Sequence, residues 1–203
     1  MTRPLPSHTT PTHLAPVARD PWLIRPEVKP AARLRLFCFT YAGGGASIYR
    51  PWTRELPPEL ELCAVQLPGR ENRLLEPAYT EMPALVEQLG TVLAPYLDRP
   101  FAFFGHSMGA LVAFEMARTV RRRYGRSALH LFVSGHAAPR IARRRPPVYQ
   151  LPDAAFVDAI RELNGTPEEV LENADLMALV LPALRADLTV CETYRYVSGE
   201  HLT

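Results

Sequence analysis

The sequence has no apolar run approaching the roughly 18 residues that a membrane-spanning helix needs. Its first thirty residues also lack the apolar core of a secretory signal peptide. Neither sign of charge predominates, because 23 basic side chains stand against 21 acidic ones and the net charge is +2. These absences argue against a membrane protein and give no general case for nucleic-acid binding. We therefore expect a cytoplasmic protein.

Cysteine is scarce, with only Cys38, Cys63 and Cys191 in the chain. An odd number of widely spaced cysteines without a C-x-x-C pair indicates neither a disulfide framework nor a metal site. Each lies in an apolar stretch, so we expect buried free thiols. No motif in the chain implies a cofactor or a metal ion.

Proline is abundant at the start of the chain, and its density over residues 1–31 predicts an extended or flexible arm. We expect Trp22, Leu23 and Ile24 to dock the last part of this arm on the domain that follows. The whole chain of 203 residues is 47% apolar and 22% charged, which is typical of a globular protein. We therefore expect one domain over residues 32–203.

Short apolar runs alternate with helical patterns along the first part of this domain. The runs at residues 34–39, 62–66, 100–104 and 129–133 predict strands, and strands that alternate with helices predict an α/β fold with a mainly parallel sheet. Ser47 is a good N-cap residue for the first of the helices.

Residues 151–196 break this alternation and show helical patterns only. One helix is predicted over Asp153–Leu163, and Thr166-Pro167-Glu168-Glu169 predicts a capping box for the next. Pro182 is expected to bend the last helical stretch or to divide it in two. A helical insertion after the strands indicates a lid over an active site, at about residues 146–196.

Gly105-His106-Ser107-Met108-Gly109 fits the G-x-S-x-G pattern of a nucleophile elbow. The pattern alone occurs often by chance, but here an apolar strand precedes it and an amphipathic helix follows it. A sharp strand-to-helix turn needs small flanking residues and projects the serine hydroxyl toward the helix N-terminus. The context therefore predicts Ser107 as a nucleophile, against the alternative of a surface turn.

A serine nucleophile also needs donors for the negative charge that develops on the substrate oxygen. The backbone N–H of Met108 is one candidate, because it follows the nucleophile. The second is expected in the glycine-rich turn after the first strand, where we select the Ala42 N–H. Alternatively, Gly43, Gly44 and Gly45 only turn the chain or cradle a phosphate, although the P-loop Lys-Ser/Thr is absent.

The acid and base of a catalytic triad are harder to assign. α/β-hydrolases place them after the serine, in the order Asp or Glu and then His. Asp187 and His201 have that order, but Asp187 falls within a predicted lid helix, so the pair is a weak candidate. His136 follows the fourth strand but precedes any acid, and we expect it to be structural.

Several segments together resemble the type II thioesterases of polyketide and nonribosomal peptide assembly lines, which are α/β-hydrolases. The matching segments are residues 37–47 (FCFTYAGGGAS), 66–71 (QLPGRE), 104–109 (FGHSMG), 133–135 (VSG), 181–187 (LPALRAD) and 192–196 (ETYRY). The resemblance implies a stand-alone enzyme that hydrolyses acyl groups from the phosphopantetheine thiol of acyl- or peptidyl-carrier proteins. It also implies Ser107 as the nucleophile, Ala42 and Met108 as oxyanion donors, and the helices of residues 151–196 as the lid.

The chain departs from the family pattern at several positions. Thr40 stands where the family usually has Pro, Tyr41 where it has His, and His136 where it has Arg. The family's Gly-Gly-x-Asp-Asp stretch and its later Gly-Gly-His have no counterpart. We therefore expect an incomplete domain whose last strands, acid and base are missing and whose sheet ends at an unprotected edge. A truncated, inactive domain that only binds a carrier protein and another kind of serine esterase remain as alternatives.

A carrier protein is generally acidic, so runs of arginine are candidate docking sites. The chain has two such runs, Arg121–Arg123 and Arg143–Arg145. The alternative for each run is an ordinary solvated surface.

Overall fold

The computed structural model describes residues 20–141, 145–163, 165–199 and 202. Three features named above lie outside the described residues: the first nineteen residues of the proline-rich arm, Arg143 with Arg144, and His201. No helix in the described part of the chain is long and apolar enough to cross a membrane.

A five-stranded sheet in the order β1-β3-β2-β4-β5 forms the centre of the fold. The strands are β1 (Leu23–Ile24), β2 (Leu34–Phe39), β3 (Leu60–Val65), β4 (Phe101–His106) and β5 (His130–Ser134). The last four are parallel, and β1 alone is antiparallel to its neighbour β3. The predicted α/β class with a mainly parallel sheet is confirmed, and the four predicted strands are shifted by at most two residues.

Helices cover both faces of the sheet. They are α1 (Trp52–Glu55), α2 (Met82–Leu93), α3 (Met108–Tyr124), α4 (Asp153–Leu163), α5 (Glu168–Leu171) and α6 (Ala174–Thr193), with 3-10 turns at Ala46–Tyr49, Glu71–Arg73 and Ala94–Tyr96. Phe37 and Phe103 pack with α2 and α3 on one face, with ring centroids 5.8 Å apart. Cys38 and Tyr49 belong to a second buried cluster on the other face. Burial on both faces explains why these strands appear in the sequence as almost continuous apolar runs.

Strand β5 lies at one edge of the sheet and pairs, among the described strands, with β4 alone. Phe132 and Val133 in this strand are 51% and 55% exposed. The apolar side chains here are therefore open to solvent, unlike those of the central strands.

Trp22, Leu23 and Ile24 dock the end of the proline-rich arm on the domain, as predicted. Leu23 pairs with Val65 in the sheet and is buried. The Arg73 guanidinium carbon lies 3.9 Å from the centre of the Trp22 ring, a close cation–π contact. Apolar anchoring of this short strand therefore overrides the local effect of the prolines.

The predicted helix ends are wrong at two places. Ser47 does not cap a helix, because a 3-10 turn begins after Gly45 and Pro51 separates this turn from α1. The Thr166 capping box does not form either, since α5 begins at Glu168 with Pro167 before it and no side-chain cap. Glu168 instead accepts a hydrogen bond from Arg161 at 2.9 Å.

The last helix is continuous through Pro182, so this proline does not divide it. Asn173, an N-cap that we did not predict, accepts hydrogen bonds from the N–H groups of Asp175 and Leu176 at the start of the helix. Packing of the helix along its length offsets the one backbone hydrogen bond that a proline removes.

Helices α4, α5 and α6 make up the predicted lid and share an apolar cluster. Its buried members are Phe156, Ile160, Leu171, Met177, Leu184 and Leu188. This cluster is separate from those on the two faces of the sheet, so these three helices share a small core of their own.

Two charged side chains of α6 hold the segment that leads into the lid. Arg185 Nη1 donates to the carbonyl oxygens of Tyr149 at 2.6 Å and Leu151 at 2.8 Å. Glu192 Oε2 accepts from the N–H groups of Val148 at 2.7 Å and Tyr149 at 3.0 Å. Backbone groups that no regular element would pair are thus satisfied by two side chains that lie two turns apart on the same face of α6.

Candidate active site

Ser107 lies in the sharp turn between β4 and α3, with φ 53° and ψ −117°. A positive φ costs a residue with a side chain roughly 1–3 kcal/mol and persists only where the surroundings fix it. Here the Ser107 N–H donates to the Ser134 carbonyl oxygen at 2.9 Å, which ties the turn to the end of β5. This strand–turn–helix geometry is the one expected of a nucleophile elbow.

Two glycines make the turn sterically possible. A Cβ atom at Gly105 would lie 2.0 Å from the Gly109 carbonyl oxygen. A Cβ atom at Gly109 would lie 2.1 Å from the Phe39 carbonyl oxygen and 2.8 Å from that of Thr40. The obstacles are backbone atoms, which cannot rotate away as a side chain can. Both positions of the G-x-S-x-G pattern are therefore glycine because a Cβ atom would overlap backbone atoms there.

The candidate oxyanion donors lie on adjoining segments. Met108 is the first residue of α3, so its N–H has no acceptor within the helix. The Ala42 N–H likewise has no hydrogen-bond acceptor among the residues that the structure describes. Close contact of Gly109 with Phe39 and Thr40 places the start of α3 against the backbone that leads directly to Ala42. Two backbone N–H groups without an acceptor among the described residues thus lie on the two segments that meet at Gly109.

Residues 41–45, which we call the glycine loop, continue into a 3-10 turn that is fixed by buried polar groups. The Ala46 N–H donates to Gln66 Oε1 at 2.6 Å, and Gln66 is fully buried. Glu71 Oε1 accepts from both the N–H and the hydroxyl of Ser47, at 3.2 and 2.5 Å. The Glu71 carboxylate also fills the space beside Gly45, where a Cβ atom would lie 2.0 Å from Oε1.

An ion pair fixes the middle of the glycine loop. Asp187 on α6 accepts the Gly43 N–H on Oδ2 at 2.7 Å. Arg70 donates to both oxygens of Asp187, at 2.6 and 2.9 Å, and also to the Gly44 carbonyl oxygen at 3.3 Å. The side chains of Arg70 and Asp187 are 6% and 3% exposed. This bidentate geometry is the strong form of an arginine–carboxylate interaction.

The structure does not support Asp187 as a triad acid. Both of its oxygens are occupied by Arg70, and Oδ2 also holds Gly43. This arrangement was not predicted, because the order of residues in the chain marked Asp187 only as a candidate acid before a histidine. The signal that could have found it is the opposite charge of Arg70 and Asp187, which belong to two of the recognised segments.

No described histidine reaches the Ser107 hydroxyl, which has no hydrogen-bond partner in the part of the chain that the structure covers. His106 Nδ1 lies 2.8 Å from Ser134 Oγ. His136 is exposed and its Nδ1 lies 2.8 Å from the neighbouring Ala137 carbonyl oxygen. Both rings are thus engaged in local contacts.

A cavity of about 870 Å³ lies between α2, α3 and α6. Glu115, Arg118 and Tyr194 line it, but Ser107, Ala42 and Met108 do not. Burial and the Glu115 carboxylate raise the pKa of the Tyr194 phenol, whose hydroxyl donates to Glu115 at 2.7 Å. Glu115 thus binds Tyr194 and Arg118 in a cavity that does not include the candidate nucleophile. No group of three or more described His, Cys, Asp or Glu residues has the arrangement of a metal site.

The first arginine run lies at the far end of α3 from Ser107. Arg122 is 14 residues beyond Met108, which corresponds to about 21 Å along the helix axis at about 1.5 Å per residue. Arg123 forms an ion pair with Glu87 at 2.7 Å. The position of this run favours a solvated surface over a docking site beside the nucleophile.

The thioesterase domain family matches residues 34–202. The gramicidin S biosynthesis protein GrsT of Aneurinibacillus migulanus is 48% identical over 179 residues, which cover 88% of this chain and 70% of that protein. Thioesterase PikA5 of Streptomyces venezuelae is 42% identical over 183 residues, with 90% of this chain and 65% of that protein covered.

This chain is also similar to a solved thioesterase structure. The type II thioesterase BorB from the borrelidin biosynthetic cluster superposes with a TM-score of 0.81 at 38% identity, covering 91% of this chain and 75% of that one. The chain thus spans between 65% and 75% of the length of these three proteins.

Proposed function

The chain belongs to the thioesterase family, and from this premise we propose that it is a type II thioesterase of polyketide or nonribosomal peptide biosynthesis. It hydrolyses acyl groups from the phosphopantetheine thiol of an acyl- or peptidyl-carrier protein. The relatives support this pathway class, since one is a gramicidin S biosynthesis protein and another is a type II thioesterase of the borrelidin cluster.

Ser107 is the nucleophile of the proposed reaction. Its Oγ attacks the thioester carbonyl carbon, the new acyl–oxygen bond forms and the acyl–sulfur bond breaks. The serine proton is transferred to the departing sulfur, so the carrier leaves as its thiol. Water then cleaves the acyl-serine ester, which releases a carboxylic acid and restores the hydroxyl. The observation that carries this proposal is the positive φ of Ser107 in a turn flanked by two glycines without room for a Cβ atom.

The Ala42 and Met108 N–H groups bind the oxyanion in this proposal. Negative charge develops on the carbonyl oxygen in both the acylation and the hydrolysis step. A donor of this kind typically contributes a factor of about 10²–10³ to kcat. The N-terminus of α3 adds a favourable field for the same charge. The support for these two donors is that neither has a hydrogen-bond acceptor among the described residues.

A comparison of matched substrates tests the proposal. The purified protein is given an acyl-phosphopantetheinyl carrier protein and, separately, an oxygen ester of the same acyl group. We expect release of the free acid from the thioester at a higher kcat/KM. A preference for the oxygen ester would replace this function with that of a general esterase. Binding of the carrier without any turnover would instead identify a domain that only binds its partner.

A further inference from the structure

We propose that Asp187 and Arg70 are positioning residues that couple the lid to the oxyanion donor on the glycine loop. The proposal rests on the function proposed above and adds a role for a lid helix in the chemistry. In this arrangement α6 orients the peptide next to Ala42, so that the donor is in place only while α6 is docked.

The contacts carry the first step of the argument. Asp187 is the only described side chain that accepts a hydrogen bond from the backbone of residues 41–45, and its acceptor distance to the Gly43 N–H is 2.7 Å. Arg70 holds the same carboxylate and the Gly44 carbonyl oxygen. One buried ion pair thus fixes two peptide groups of the glycine loop, the one that joins residues 42 and 43 and the one that joins residues 44 and 45.

Packing from the same helix supports this contact. A Cβ atom at Gly43 would lie 2.9 Å from Leu184 Cδ1, so α6 is in van der Waals contact with the loop one helical turn before Asp187. Gly43 has φ +79°, a conformation that glycine adopts without the strain of a side chain. Leu184 therefore holds Gly43 by packing, and Asp187 holds it by a hydrogen bond.

The position of Gly43 in the chain links this contact to catalysis. The Gly43 N–H belongs to the peptide group that also contains the Ala42 carbonyl. When this peptide plane is fixed, the rotation that would turn the Ala42 N–H away from Ser107 is restricted. Such preorganisation contributes most in the transition state, where the oxyanion carries its charge.

A second buried ion pair offers a matched control. Arg35 donates to Glu61 at 2.7 Å, and the two side chains are 8% and 1% exposed. Both residues lie near the beginning of their parallel strands, whereas Ser107 follows the last residue of β4, at the opposite end of the strands. Glu61→Gln and Asp187→Asn therefore make the same chemical change, a buried carboxylate to an amide facing an arginine, at different distances from the site.

The experiment measures kcat and KM with a carrier-bound thioester, thermal stability, and hydrogen exchange of the peptide covering residues 40–46. For Asp187→Asn we expect kcat to fall at least tenfold, KM to change less than twofold, and exchange in this peptide to accelerate. Asp187→Ala should lower kcat about 10²-fold, the range for a lost oxyanion donor. Glu61→Gln should lower the melting temperature while kcat and the exchange of this peptide stay within twofold.

The readouts separate this inference from the proposed function. If exchange over residues 40–46 in Asp187→Ala equals that of the wild type, the positioning role is wrong whatever the activity. If Glu61→Gln lowers kcat as much as Asp187→Asn, the effect is one of general stability and the inference is overturned. If exchange over residues 40–46 accelerates in Asp187→Ala but the wild type shows no thioester hydrolysis, the contact is real and the proposed function fails, and with it the catalytic part of the inference.

Discussion

A Cβ atom at Gly109 would lie 2.1 Å from the carbonyl oxygen of Phe39, so the first turn of α3 rests directly on the end of β2. Few backbone segments approach each other so closely without a glycine. The approach brings the segment that follows Ser107 to the segment that leads to Ala42. This contact is the structural link between the proposed nucleophile and the two proposed oxyanion donors.

Gly109→Ala should destabilise the protein, because the new methyl group overlaps backbone atoms of Phe39 that can move only with the strand. Overpacking of this kind typically costs about 1–3 kcal/mol or more. Urea unfolding measures the free energy of unfolding. Gly165→Ala is the control, since nothing lies within 4 Å of a Cβ atom there. Equal stability of the two variants would show that the elbow tolerates a side chain at residue 109.

Much of the sheet could be predicted from the sequence, because strands buried on both faces appear as apolar runs. The central strands β2, β3 and β4 are of this kind. Strand β1 could not be recognised, since two residues among prolines carry no periodic signal and depend on pairing with Val65 and Ala64. Two helix starts also differ from the prediction. Gly45 and Pro167 occupy the N-cap positions there, instead of Ser47 and Thr166.

The residues of the candidate site likewise differ in whether local sequence or long-range packing positions them. Ser107 and Met108 could be placed because the elbow is a local strand–turn–helix pattern. The role of Asp187 could not, because its partner Arg70 is 117 residues away in the chain. No local pattern encodes such a contact, which depends on how α6 docks on the sheet.

The two hydrogen bonds of Arg185 to the segment before α4 predict a local effect on proteolysis. Arg185→Ala removes donors to Tyr149 and Leu151 and the guanidinium that lies 4.1 Å from the Phe156 ring centre. We expect protease cleavage within residues 145–152 to accelerate, with a loss of about 1–3 kcal/mol in stability. Arg161→Ala, which breaks only exposed ion pairs, is the control and should not change the cleavage rate. Equal cleavage in both variants would contradict the clamping role of Arg185.

The buried thiols and phenols predict that stability declines in alkaline solution. Burial raises the pKa of Cys63 to about 12 from a model-compound value of 9.0. It raises the pKa of Cys38 and Tyr49 as well. The unfolded chain therefore releases protons at a lower pH than the folded one. The stability that these groups contribute is complete below about pH 8–9 and decreases as the pH rises toward their folded pKa values.

Urea unfolding at a series of pH values from neutral to strongly alkaline measures this decline. Tyr49→Phe removes one of the titrating groups, so its stability should fall less steeply with pH than that of the wild type. A free energy of unfolding that stays constant to pH 11 would contradict the burial of these groups.

His201→Ala tests the remaining candidate for a histidine base paired with Asp187. Because both Asp187 oxygens are engaged by Arg70 and Gly43, this carboxylate is not free to orient an imidazole. We expect thioester hydrolysis by the variant to stay within twofold of the wild type. A loss of a hundredfold or more, restored by added imidazole, would reinstate His201 as the base.

The acyl-enzyme itself tests the central claim most directly. The protein is mixed with an acyl-carrier thioester, quenched rapidly in acid and digested, and the peptide containing residue 107 is examined by mass spectrometry. The account predicts the mass of one acyl group on Ser107 in the wild type and none in Ser107→Ala, together with a loss of hydrolysis in that variant. Hydrolysis that continues unchanged in Ser107→Ala, or an acyl group on another residue, would contradict it.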